Sequence, residues 1–360
     1  MPTVKNIDSI QYFLNRFPTI DSGYDYIVNY HNAAESKFTS LPTFVAEFFD
    51  CKVNSCPLLL TNEDHLITDH VWNLTHQRKH KPQKTHGLWR EWSDTLAIDL
   101  PSVSRSFNET YTYVWLPIDE ESANNPWHVW IDVISKFRLV ERRWSTDFTR
   151  YVFVLSNESK YFTKVLQDFF PDLKYMVVPT GEVWQFKHLI VPSLSNHTDG
   201  VITPHLPPWI RKLKNKMKVN SERKRKIFIS RDDAKSRKLL NAEKLLMALK
   251  GWETVTLQSL TILEQVKCFS EASHIISTHG AGLTNLLWCE PGTKVIEIQD
   301  IKMIDKKVYP VLSHHLGINH KVHVAKTVPI KFNGTKPKGT KKWQMVDFEV
   351  DVPSLMDDLD

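Results

Sequence analysis

The sequence predicts an α/β protein of two domains, each a mainly parallel sheet with helices on its faces. Three observations carry this expectation. The chain has 360 residues, more than the roughly 250–300 at which a single core stops growing. From about residue 111 onward, strand-like and helix-like segments alternate, the pattern of a parallel sheet. The stretch SNHTDGVITPHLPPW at 195–209, with Asn, Asp, Gly and three prolines, interrupts the alternation and reads as a linker. The expected division is 1–200, 201–330, and a tail at 331–360 that packs back on the body or lies on the surface.

Residues 1–105 mix Trp, His, Pro and charge with weak periodicity, and are assigned only to the first domain. YTYVWLPI, from residue 111, is strand-like. A helix is predicted over 125–144, with Asn124 or Asn125 as cap and Pro126 in the first turn, where its missing N–H costs nothing. RYVFVLS reads as a strand, SKYFTKVLQDFF as a helix, and LKYMVVP and KHLIVPS as two more strands.

After the linker, RKLKNKMKVNSERKRK holds nine Lys or Arg in sixteen positions. Such a run could meet a polyanion, but a solvated helix face leading into the next domain is the plainer reading. The second domain then runs regularly. KIFIS is a strand, and 241–250 a helix stopped by Gly251 in a left-handed position. WETVTL is a strand, and the next helix opens on Thr261-Ile-Leu-Glu264, a capping box. HIIST is a strand, followed by His279-Gly280-Ala281-Gly282 and a short helix through Leu286. Pro291-Gly292 turns the chain into the strand KVIEI, and a helix near 306–316 with the strand HKVHVA completes a doubly wound unit.

Hydrophobic residues at 41% and charged residues at 24% are the balance of a globular protein. A formal charge of +5 is small for this length; it favours anionic small molecules weakly and gives no reason to expect nucleic acid as a partner. MPTVKNIDSIQYFLNRF lacks a basic region followed by an apolar one, and no run approaches the ~20 apolar residues of a bilayer span. The expectation is therefore no membrane span and a cytoplasmic setting. Four cysteines are too few for a disulfide scaffold. Cys51 and Cys56 read as ordinary thiols rather than a bridge or a metal pair, and Cys268 and Cys289 as packed small hydrophobes. The sequons at Asn73 and Asn333 carry no weight without a secretory route.

A strand that ends in a glycine-rich turn opening a helix gathers backbone N–H groups around one point, adds the helix's positive end, and so fits a diphosphate. HGAG alone is a weak signal, since a plain tight turn has the same letters. Three rivals can be weighed. The stretch lacks the Gly-Lys pair of a Walker loop, and the chain has no G-x-S-x-G nucleophile elbow for which HGAG could serve as oxyanion loop. A dinucleotide loop wants G-x-G-x-x-G, whereas Asn285 stands at the third small position, and the loop follows the third strand of its domain rather than the first. Glu297, at the end of the following strand, keeps an NAD-type oxidoreductase open, because a ribose-binding acid sits there in such folds. Ser230-Arg231 ends the first strand of the same domain and Arg237 follows six residues later. Strand order would bring them to the loop, and Arg offers a phosphate a planar fork of donors; the plainer role for Arg231 is an ion pair with Asp232 or Asp233.

The pieces S-R, R-K-x-x-N, E-Q, H-G-A-G-L-x-N, P-G and V-I-E-I occur in that order over 227–298. This region resembles glycosyltransferase family 61, which includes plant xylosyl- and arabinosyltransferases and animal protein N-acetylglucosaminyltransferases. The resemblance implies a GT-B fold of two Rossmann-like domains facing a central cleft, an inverting mechanism and no metal. It implies a nucleotide-sugar donor, uridine-based, as co-substrate, no other cofactor, and a hydroxyl acceptor on a glycan or protein. Donor contacts are then expected from Asn125, Ser230, Arg231, Arg237, His279, Gly280, Ala281, Gly282, Thr284 and Asn285, with Glu297 on ribose or base or else capping a structural network.

The family's N-x-x-H-x-x-x-D element is matched by Asn125-Pro-Trp-His128-Val-Trp-Ile-Asp132. His128 and Asp132 are four apart on a predicted helix and share a face, with Asn125 at the cap. Spacing alone reads as an i,i+4 pair on a solvated helix. The resemblance makes Asp132 the expected general base, taking the proton of the acceptor hydroxyl, and His128 its partner; the reverse order stays open. In that picture the base comes from one domain and the donors for the leaving diphosphate from the other. The single D-x-D, Asp358-Leu-Asp360, lies at the end of the sequence, away from any nucleotide domain. A non-catalytic nucleotide- or glycan-binding protein on the same fold is the remaining alternative.

Overall fold

The computed structural model describes residues 3–6, 19–21, 24–28, 36–40, 42–55, 59–62, 65–67, 90–92, 95–97, 102–194, 196–197, 201–217, 222–303, 307–330 and 346–359. The chain divides into two compact units, Met1–Tyr24 with Thr39–His197 and Asp25–Phe38 with Thr198–Asp360. Both are mixed α/β. The sequons at Asn73 and Asn333, and Cys56, lie outside the described residues. Cys51, Cys268 and Cys289 are buried free thiols. Among the described residues no helix is long and apolar enough to cross a membrane.

In the first unit the strands that matter are β1 (Thr19–Asp21), β2 (Thr43–Asn54), β3 (Thr112–Leu116), β4 (Tyr151–Leu155), β5 (Lys174–Val177) and β6 (Val183–Pro192). Their order is β5-β4-β3-β6-β2, with β1 on β2. Neighbours from β5 to β6 are parallel, as the alternation predicts. The sheet is not parallel throughout, however: β6 pairs antiparallel with β2 along its length. The sequence of β2, TFVAEFFDCKVN, is buried for most of its length with no period of two, so its pattern does not announce this pairing. KHLIVPS is only the second half of β6, since Trp184 and Phe186 extend the strand backward to pair with Val53 and Cys51. Their rings join Phe44, Phe48, Trp115 and Leu189 in one core.

The helix expected over 125–144 is present in altered form. Asn125 caps it, its Oδ1 accepting from the Trp127 amide at 3.0 Å. Residues His128–Ile134 then wind as a wide π-helix before α1 (Ser135–Arg143) continues as a regular α-helix. Ser135 explains the wide turn. Its amide bonds back to the Trp130 carbonyl, five residues earlier, and its hydroxyl donates at 2.5 Å to the Ile131 carbonyl that a regular helix would give to that amide. Nor is this a solvated helix: every residue from Val129 to Val140 is buried. Arg138 lies inside, paired with Asp21 on β1, which also accepts from the Thr43 hydroxyl at 2.6 Å. After β4, α2 (Lys160–Phe169) begins at Ser159, whose hydroxyl accepts from the Phe162 amide.

The second unit opens with α3 (Leu206–Lys216), where Lys214 turns inward to donate to the Trp288 carbonyl and to Glu290. One base of the basic run is therefore structural. Then come β7 (Arg225–Ser230), α4 (Ala242–Ala248), β8 (Glu253–Thr256), α5 (Ile262–Ser270), β9 (Ala272–Thr278), β10 (Lys294–Asp300), α6 (Val308–Leu316), β11 (Asn319–Pro329), β12 (Val346–Glu349) and α7 (Val352–Asp357). The sheet runs β8-β7-β9-β10-β11-β12. The first five strands are parallel and β12 closes the edge antiparallel. In chain order this is 2-1-3-4-5 with an added sixth strand, the doubly wound pattern with its reversal between β7 and β9.

Local chemistry sets the boundaries. Gly251 and Gly292 both take left-handed φ, near 78° and 79°. The capping box forms, with the Thr261 amide bonded to Glu264 at 2.7 Å and the Glu264 amide to the Thr261 hydroxyl at 3.3 Å. The segment 346–357 returns to the body: Phe348 is fully buried, and Asn241 bonds Val350 through both its amide nitrogen and its oxygen. Replacing Thr261 by Ala removes the cap, and chemical denaturation should show a loss of about 1 kcal/mol.

Candidate functional site

Open parallel sheets bind ligands at the carboxyl ends of the strands flanking the reversal. Here those ends are Ser230-Arg231 after β7 and His279-Gly280-Ala281-Gly282 after β9, on neighbouring strands. The loop leads into a 3-10 helix, Ala281–Trp288, tighter than the α-helix the sequence suggests, with the Leu283 amide bonded to the Gly280 carbonyl at 2.9 Å. The glycines are needed for space. A Cβ on Gly280 would run into the Arg231 guanidinium, and one on Gly282 would meet the Leu257 side chain at 2.6 Å.

Arg237 reaches the same place by an unusual backbone. Its φ is +60°, left-handed for a residue with a Cβ, at a cost on the order of 1 kcal/mol. Two bonds hold it there: its amide to the Val346 carbonyl at 2.6 Å, and its carbonyl to the Thr278 hydroxyl at 2.9 Å. Burial weakens the hold of both arginines on their protons. Arg237 falls to about 10 through burial and the like charge of Arg231, against Tyr309 and Glu297. Arg231 is lowered by burial against Asp233 and Tyr309. The Nε of each is buried with no hydrogen-bond partner among the described residues. Two half-buried cations beside a glycine loop have the chemistry to hold an anion.

Glu297, fully buried on β10, anchors the loop. One carboxylate oxygen bonds His279 Nδ1 at 2.5 Å and the other His320 Nε2 at 3.0 Å, and His320 Nδ1 bonds the Ser313 hydroxyl at 2.8 Å. Burial would raise this carboxyl, but His279 and then His320 outweigh it and hold it at about 2. A carboxylate only accepts, so His279 presents Nδ1–H to Glu297. Glu297 thus sits in a hydrogen-bonded network with His279, His320 and Ser313. Asn285 also faces the protein: its amide nitrogen donates to Gln265 at 3.0 Å and to the Gly282 carbonyl at 3.1 Å, bracing the loop. Ser230 bonds Asp232 at 2.7 Å, which shapes the turn after β7. Thr284 is buried on the 3-10 helix.

In the first unit, His128 Nδ1 and Asp132 Oδ2 are 2.6 Å apart. Asp132 is the more enclosed, its side chain 8% exposed against 20% for His128. Burial lowers the proton affinity of His128, but Asp132, and more weakly Asp119, raise it above the ordinary value. One turn on, Lys136 is completely buried. Burial brings its ammonium down to about 7, with Asp132 opposing.

The structure thus gathers Arg231, Arg237, His279, Gly280 and Glu297 at one sheet edge, and places His128 and Asp132 on the helix that Asn125 caps. His320, Ser313, Tyr309 and Lys136 were not anticipated. The signal for His320 was faint, a histidine in the strand after Glu297, whereas Lys136 sits at the next i,i+4 position after Asp132 and could have been found by extending the series.

Residues 126–296 match the family model for Glycosyltransferase 61, a span that opens at the residue after Asn125 and closes one short of Glu297. No curated protein matches the chain.

Two outcomes follow from this geometry. Gly280→Ala displaces the Arg231 guanidinium without straining the backbone, so binding of inorganic pyrophosphate, read by calorimetry, should weaken about tenfold, as loss of one charge-assisted bond implies, while thermal stability holds. Glu297 is depressed from an ordinary value near ~4.3, so its contribution to stability is present above that pH and is lost as pH falls toward 2. Glu297→Gln should cost about 3 kcal/mol at pH 7 and flatten this acid-side decline in denaturation series.

Proposed function

From the match of residues 126–296 to the family model for Glycosyltransferase 61, we propose that this chain is an inverting, metal-independent glycosyltransferase of that family. It moves a sugar from a UDP-sugar to a hydroxyl on a glycan or protein acceptor. Xylose, N-acetylglucosamine and arabinose are the sugars considered. The two units are read as the halves of a GT-B enzyme, at work in the cytoplasm without a bound cofactor. The observation that carries the reading is Arg231 lying against Gly280 at the strand-order reversal, with Arg237 and His279 beside it.

In the proposed reaction the acceptor oxygen attacks the anomeric carbon from the face opposite the diphosphate. A carbon–oxygen bond forms as the bond to the leaving diphosphate breaks, and that group departs with the electron pair. Arg231, Arg237, the Nε2 of His279 and the loop amides would meet its charge. The acceptor proton goes to the His128–Asp132 dyad. Of the two orders considered, the geometry favours His128 as the group that receives it. Asp132 is the more buried and its Oδ2 is engaged by Nδ1, which leaves Nε2 of His128 for the acceptor hydroxyl. Asp132 then holds the ring in one tautomer and balances the charge that forms.

A screen of UDP-sugars should reveal one that is slowly hydrolysed, undiminished by EDTA; complete loss in EDTA restored by manganese would contradict the proposal. Asp132→Asn should fold and bind UDP normally but lose roughly 10²–10⁴ in turnover, and near-normal turnover would remove the dyad from the mechanism. His128 must be neutral to accept a proton, and its affinity is raised. Turnover should therefore climb with pH through a midpoint above the ordinary histidine value, and in Asp132→Asn any residual activity should climb at lower pH.

A further inference from the structure

Burying an ammonium costs several kcal/mol unless the surroundings compensate for it, and a leucine or methionine at position 136 would serve packing without that cost. Lys136 lies between Ser135 and Phe137, both fully buried like itself, in the interior of the first unit. It stands four residues beyond Asp132 and eight beyond His128 on one continuous helix. The wide turn gives that spacing meaning. Steps of four fall slightly short of a full π turn and slightly exceed a full α turn, so a line drawn every four residues drifts one way before Ile134 and the other way after Ser135. The change of winding between Asp132 and Lys136 keeps all three on one side of the helix.

We propose that Lys136 is a positioning residue for the His128–Asp132 dyad: from the protein interior its charge acts on the same carboxylate that binds His128, and so sets how readily His128 takes up a proton. This rests on the dyad's role in the function proposed above. Asp132 holds one negative charge between two bases. With Lys136 charged, part of the field of Asp132 is answered from inside and His128 releases its proton more easily. With that charge removed, Asp132 acts on His128 alone and holds the proton more tightly. Burial brings Lys136 down to about 7, so its charge is held far less firmly than that of an exposed lysine.

Among the described residues, other ionisable groups around the helix have these partners. Asp119, at the cap of the preceding turn, adds to the negative field at His128. Asp21 on β1 is taken up by Arg138 and Thr43. Glu47 on β2 pairs with His188 on β6 at 3.0 Å. The Tyr161 hydroxyl on α2 accepts from the Trp130 indole and is raised by burial, so it stays neutral. Asp132 is the group whose charge acts on both His128 and Lys136.

The test replaces Lys136 by Met, which keeps the apolar stem and needs no partner for a charge. His128 is followed in the whole protein by proton NMR of the imidazole ring, its resonance assigned by loss in His128→Gln. The expected result is a His128 midpoint higher by about one pH unit. The acid limb of UDP-sugar turnover should move by the same amount, with kcat recovering at high pH and KM for the donor unmoved. An unchanged His128 midpoint overturns the inference, whether or not any sugar is transferred. Conversely, if the midpoint moves while the wild type transfers no sugar, the coupling stands and the proposed function fails. Should Lys136→Met not fold, Lys136→Arg reads the same coupling: its charge persists where Lys136 loses its own, so the His128 midpoint should drop, and an unmoved midpoint overturns the inference.

Discussion

The second unit depends on how its parallel strands are ordered. Because β8 is laid down on one side of β7 and β9 on the other, the chain leaves the carboxyl ends of β7 and β9 in opposite directions, and no crossover covers the crevice between them. Into that crevice the sequence sends a glycine loop from one strand and an arginine from the other. Gly280 leaves the space that the Arg231 guanidinium takes up. Arg237 is held in a left-handed turn by the Val346 carbonyl and the Thr278 hydroxyl, so the edge strand β12 helps to aim a cation at the site. The result is positive charge gathered on two half-buried arginines beside the glycine loop.

Both candidate centres use the same device, a histidine whose Nδ1 is fixed by a buried carboxylate. At Glu297 the carboxylate is flanked on both sides, by His279 and by His320 backed with Ser313. At Asp132 the carboxylate is reached by His128 and acted on from within by Lys136. The first arrangement orients a donor; the second, in the proposed mechanism, is tuned to take up a proton and release it. The difference lies in the neighbour, a second imidazole in one case and a buried lysine in the other.

Much of the second unit was legible in the sequence because its signals are local. The Thr261–Glu264 box, the left-handed Gly251 and Gly292, and the strands before and after HGAG follow from neighbouring residues. Long-range pairing was not legible. The antiparallel β2/β6 ribbon could not be read, since β2 shows no alternation of apolar and polar residues and β6 begins earlier than its aliphatic core. The π turn at His128–Ile134 needs the Ser135 hydroxyl to claim the Ile131 carbonyl, which spacing does not announce. Of the site residues, Arg231, Arg237 and HGAG were named from their place at strand ends. Asn285 and Glu297 were named for their position, but their side chains bond Gln265, Gly282, His279 and His320, partners from other elements that no local pattern reveals.

In the proposed function the crevice at the ends of β7 and β9 grips the diphosphate of a uridine nucleotide through Arg231. Titration calorimetry of the whole protein with UDP and with NAD decides the matter. UDP should bind saturably, at least about tenfold more weakly in Arg231→Ala, as loss of a charge-assisted phosphate contact implies, and NAD should not bind. Saturable binding of NAD without UDP, or UDP affinity indifferent to Arg231 in a folded variant, would contradict it.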